Sequence, residues 1–238
     1  MKKISTSFIL SLAASIWAFA GSYLFPDVTI EAGGAAEFAL RTMALGLPAT
    51  ALYLLTIILI LLGCHELKAR QPAFGRQFKL YIAVYAANFA VSLVPSIVWA
   101  MGRYLSFASA NPFYFLYAPL SFALTAFQLY VGWSLVKNIK LLGYGGDIGH
   151  RALRTAWLVS AALTAYRTLI DLVNSIFAVT QRESGILESL FPNASTTLWS
   201  AYSATIQIAG LVLTGIFTVC LVLTTIKIER IQPPQSNI

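Results

Sequence analysis
Apolar residues gather along the chain in six long blocks, near residues 7–25, 43–64, 79–101, 113–136, 155–180 and 197–226, with short polar segments between them. A membrane-spanning helix needs about 20 consecutive apolar residues, and each block is close to or beyond that length. The blocks do not alternate apolar and polar positions, as the ~10-residue strands of a membrane barrel would. Backbone groups in hydrocarbon must find partners within their own segment, so blocks of this kind are helices. The pattern therefore predicts an all-α, polytopic membrane helix bundle with six transmembrane helices. It predicts one integral membrane domain over residues 1–238.

Composition sharpens this. Hydrophobic residues fill 58% of the chain and charged residues only 11%, against roughly 25% charged in a soluble globule. The expected principal partner is the lipid bilayer. A net charge of +7 would suggest nucleic acid in a soluble protein, but its distribution gives a simpler account, and no nucleic-acid partner is expected. Lys2, Lys3, Lys68, Arg70, Arg76, Lys79, Lys137, Lys140, Arg151, Arg154, Lys227 and Arg230 fall on one side of the bundle. Only Arg41, Arg103 and Arg182 fall on the other, and Arg167 lies inside a block. Basic residues stay cytoplasmic, so both termini are expected in the cytoplasm. Trp133 and Trp157 then mark the inner boundary, Trp99 and Trp199 the outer one. The aromatic run from Tyr104 to Tyr117 reads as an outer interfacial belt, with a lipid or quinone groove as the alternative. The first block, with Lys2, Lys3 and Ala18-Phe19-Ala20, has two readings: a span, or a signal peptide with a small-residue cleavage site.

Lesser features add little. Cys64 and Cys220 form no disulfide framework and read as free thiols, Cys64 being placed where palmitoylation is conceivable. Ala39-Leu40-Arg41-Thr42 echoes Ala152-Leu153-Arg154-Thr155 three blocks apart, a weak sign of an inverted repeat. Ala14 and Ala18, Ala83 and Ala87, Ala86 and Ala90, and Ser200 and Ala204 are small pairs four apart that suit close helix packing. Pro95 and Pro119 stand inside blocks, where a kink is tolerated.

The fifth block carries the chemistry. Ser160, Thr164, Arg167, Asp171 and Asn174 follow one another at spacings that put all five on one helix face. Arg167 is near mid-span, where a charge costs at least ~2.5–3.5 kcal/mol and normally faces the bundle interior or water. Asp171, one turn on, is its natural counter-ion. Asn88, Gln128 and Gln207 reach similar depth on other blocks. These six residues, Arg167, Asp171, Asn174, Asn88, Gln128 and Gln207, are the expected substrate-binding set. The competing reading is a buried ion pair that only fixes packing.

Absences narrow the chemistry. His65 and His150 lie outside the blocks, which argues against a bis-histidine haem and a serine–histidine protease. One aspartate in a span argues against a paired-aspartate protease. Cys64-His65-Glu66 lacks zinc spacing, and the Gly143–Gly149 loop lacks the strand that a dinucleotide fingerprint requires. No catalytic residue, metal or cofactor is therefore expected. The expectation for function is a small transporter or permease-like protein with a midplane site on the fifth helix. The alternative is a non-catalytic subunit of a membrane complex, joined to other subunits or to copies of itself. A lipid-acting enzyme ranks third.

Overall fold
The computed structural model describes residues 1–24, 35–105, 111–142, 147–181 and 196–231, with side chains described over 1–21, 46–93, 117–142, 150–172 and 204–230. The described residues form six α-helices and no strand: α1 (Lys2–Leu24), α2 (Ala35–Lys68), α3 (Ala73–Leu105), α4 (Asn111–Leu142), α5 (Asp147–Gln181) and α6 (Thr196–Ile231). A helix covers each predicted block, falling one residue short only at Phe25. Most helices outrun their blocks. The reason is that leaving an apolar block does not end a helix: Leu, Lys and Arg are good helix formers, and long basic side chains reach water from a partly buried stem. Pro48 and Pro119 are accommodated inside α2 and α4.

Four helical stretches are long and apolar enough to cross a membrane: Lys2–Gly21, Gly46–Lys68, Tyr117–Leu142 and Ala204–Arg230. They point to an integral, multi-pass membrane protein. α3 and α5 have the length, at 33 and 35 residues, but neither reaches that apolarity among the described residues. In α5 the cause is visible: Arg154, Arg167 and Asp171 interrupt it. Threonines inside the helices satisfy themselves locally, as membrane hydroxyls must. Thr125 donates to the Ser121 carbonyl at 3.0 Å, Thr218 to Thr214 at 2.8 Å and Thr224 to Cys220 at 2.7 Å.

The chain divides into two compact units, one of residues 1–78, 141–153 and 211–238, the other of residues 79–140 and 154–210. In the first, α1 packs along α2. Gly63 makes the approach possible: a Cβ there would stand 2.6 Å from Ile4 Cγ1 and 3.2 Å from the Ile4 backbone nitrogen. Ile4, Ile60, Cys64, Phe74 and Leu221 are buried in this unit, and Phe8 meets Phe217 edge-on at 5.4 Å. Polar groups share that core. The Ser5 and Thr225 hydroxyls hydrogen-bond at 2.6 Å, and Thr56 donates to the Ser7 carbonyl at 3.3 Å. At the same end Lys2 pairs with Glu229 at 3.3 Å and Lys3 pairs with Glu66. The turn into α3 closes through Arg70 and Gln71 amides bonded to the Leu67 carbonyl, with Pro72 set just ahead of the helix, where its missing N–H costs nothing.

In the second unit Val131, Leu135, Val136 and Ile139 form the buried face of α4, and Tyr81 and Val84 that of α3. Gly132 admits the Trp157 indole, whose Nε1 lies 2.7 Å from where a Cβ would stand. Close approaches are thus seen at single glycines, while Ala18, Ala83, Ala86 and Ala90 of the expected small pairs are exposed and the Ser200 side chain lies outside the described residues.

Candidate functional site
The polar face of α5 follows from its spacing. Ser160 is half-buried, while Thr164, Arg167 and Asp171 are exposed. Arg167 Nε lies 4.0 Å from Asp171 Oδ2, one turn away, with the side chains 56% and 68% exposed. The pairing is as expected from the spacing, and the buried pair of the competing reading is not what the structure shows: both side chains are more than half exposed. Four Å is the outer edge of an ion pair, so the guanidinium keeps most of its donors for other partners. Thr164 donates to the Ser160 carbonyl at 2.9 Å, and Thr168 to Thr164 at 2.8 Å. The Thr164 hydroxyl hydrogen is therefore taken up within the helix, and among the described residues of the stripe the two charged groups carry most of its capacity for a ligand.

The remaining expected residues are distributed over three other helices. Asn88 on α3 and Gln207 on α6 are half-buried, and each has a polar partner. Gln128 on α4 is exposed. All three belong to the same compact unit as Arg167 and Asp171. The Asn174 side chain lies outside the described residues. So do the Gly143–Gly146 loop and the side chains of Pro95 and of the outer aromatic belt from Tyr104 to Phe115.

No protein-family model, curated protein or solved structure matches the chain. The site must be read from its own chemistry. Among the described residues no group of three or more His, Cys, Asp and Glu side chains gathers to hold a metal ion.

Two constellations escaped the sequence reading. One is the polar seam of Ser5, Ser7, Thr56, Gln77 and Thr225, all buried in the first unit. A signal existed for its charged rim: Glu66 and Glu229 are two of only three acidic residues on the basic side of the chain, and they pair with Lys3 and Lys2. The other joins α4 to α5. Trp133 and Trp157 lie 5.2 Å apart at 40°, and the Trp133 ring holds Lys137 Nζ at 5.3 Å and Arg154 Cζ at 5.5 Å. Spacing within one helix shows Trp133 near Lys137, but it cannot show Arg154 arriving from another.

Proposed function
We propose that the chain is a six-span membrane protein, both termini cytoplasmic, that works as a subunit of an intramembrane assembly built through α5. One observation carries the reading: Arg167 and Asp171 are more than half exposed on the single chain. A charge at mid-span is costly wherever it meets lipid and belongs against protein or water. A second copy supplies the matching surface. Two parallel α5 helices about a two-fold axis can place Arg167 of each against Asp171 of the other, as a self-complementary interface requires. With α3 and α5 also spanning, the basic ends of all the helices fall on the cytoplasmic side, consistent with the positive-inside rule.

The transporter or permease-like reading stands second. It draws on Asn88, Gln128 and Gln207 sharing one compact unit with the ion pair, a placement that suits a polar path along α5. One experiment separates the two. In a chain whose own cysteines are replaced, Thr164→Cys is oxidised in native membranes. The assembly reading expects a disulfide-linked dimer. It expects loss of that dimer in Arg167→Asp, where like charges face each other, and its return in the Arg167→Asp/Asp171→Arg double exchange. A chain that stays monomeric throughout refutes the assembly and leaves the transporter reading, which counterflow of candidate small anions in proteoliposomes would then test.

A further inference from the structure
We propose that Trp133, Trp157, Lys137 and Arg154 form a binding site for a phosphate-bearing anion at the membrane–water boundary. The inference is independent of the role of α5 at mid-span. Lys137 is exposed four residues beyond Trp133 on α4, and Arg154 is exposed three residues before Trp157 on α5. Both cations stand over one indole, at 5.3 Å and 5.5 Å from its centroid. A ring attracts a cation to its face; two cations gathered at one indole repel each other, and an anion bound by both side chains would relieve that repulsion. Among the described residues, no carboxylate pairs with either cation.

The rest of the cluster fits a headgroup. Trp133 lies in the α4 span, which ends at Leu142, so the cations fall toward the end of the apolar segment. Indoles settle at headgroup depth, with an apolar body in the chains and a polar edge outside. Basic groups between membrane helices on the cytoplasmic side are where anionic lipid headgroups are held. Guanidinium offers a planar fork to phosphate, while ammonium adds a point charge. Gly132 fixes the arrangement by admitting Trp157 against α4. A soluble phosphate would meet the same groups, so the source is decided by experiment.

The test titrates the purified full chain, in neutral detergent, with dioleoylphosphatidylglycerol or dioleoylphosphatidylcholine, followed by native mass spectrometry. A separate arm titrates inorganic pyrophosphate calorimetrically. The expected result is preferential retention of phosphatidylglycerol, weakened about thirtyfold by Lys137→Ala/Arg154→Ala and little changed by the control pair Arg76→Ala/Lys79→Ala. Trp133→Leu keeps both charges and is expected to weaken retention as well. Lys137→Gln/Arg154→Gln replaces the alanine pair if that variant does not elute as a single folded species. Pyrophosphate binding that vanishes in the same variants, with the lipid unaffected, would also support the site and assign it a soluble ligand. Equal losses in the test and control pairs, full retention by Trp133→Leu of the ligand that the cation variants lose, or no loss in either arm would overturn it.

Discussion

A single absent methyl group governs how closely α1 lies against α2. At Gly63 an added Cβ would meet both a side-chain and a backbone atom of Ile4, and backbone cannot step aside alone. Gly63→Ala is expected to destabilise the protein by ~1–3 kcal/mol, the usual cost of overpacking. Gly46 sits in open space on the same helix, so Gly46→Ala should be neutral, or stabilising by up to ~1 kcal/mol through helix propensity. Thermal unfolding of the two variants in one detergent checks the contrast; equal midpoints would refute the close approach. Asp171→Ala belongs to the same scale. An interior pair would leave a sealed charge on mutation, at a cost of about 3–5 kcal/mol, whereas Arg167 is already exposed on the single chain and only a small shift of the thermal midpoint is expected. A much larger loss would show that the pair is sealed within the single chain. Cys64 illustrates the same limit on reading residues singly. Its place at a helix end left palmitoylation open beside simple packing; Cys64 is fully buried, as a packing cysteine is, while Cys220 is partly exposed.

At the scale of elements, α1 is the instructive case, because a signal peptide and a span look alike in sequence. Its first residues are built into the first unit: Ile4, Ser5 and Ser7 are buried, and Ser5 bonds Thr225. Removal of residues 1–20 would uncover Cys64 and Ile60, so α1 is expected to remain in the membrane-resident protein. Maleimide labelling measures this. Cys64 should be unreactive in the intact chain and react readily once α1 is deleted, with Cys220 as the internal reference. Rapid labelling of Cys64 in the intact chain would show that α1 does not cover it. The same element explains why the helices were longer than their blocks. Periodicity locates the apolar stretch, but the helix ends where backbone hydrogen bonding ends, and charged helix formers carry it onward.

For the whole molecule, the arrangement of basic residues predicts orientation. A cysteine placed at Ser184 should react with an impermeant reagent added outside intact cells, and one at Gly145 should not, although both positions lie outside the described residues. The reverse pattern would refute cytoplasmic termini. Scale also separates what local reading can reach in the candidate site. Arg167 and Asp171 meet because four residues make one helical turn, and that contact was legible. Whether the pair faces inward depends on how α5 is rotated in its unit, which no spacing within α5 specifies. Asn88, Gln128 and Gln207 were chosen for depth alone, and depth does not supply direction: Gln128 proved exposed.

What the sequence determined by itself is the helical, membrane-embedded character of the chain. That follows from one-dimensional physics: apolar length sets the solvent, and the solvent obliges the backbone to bond within each segment. It also determined the contacts that one turn of helix enforces. Tertiary structure alone decided which faces are buried, which helix meets which, and which side chains far apart in the chain converge. Gly63 against Ile4, Ser5 with Thr225, and Arg154 over Trp133 all join residues on different helices. Apolar helices in lipid pack by shape and by scattered polar contacts rather than by an amphipathic stripe, so the sequence carries no periodic mark of those partners.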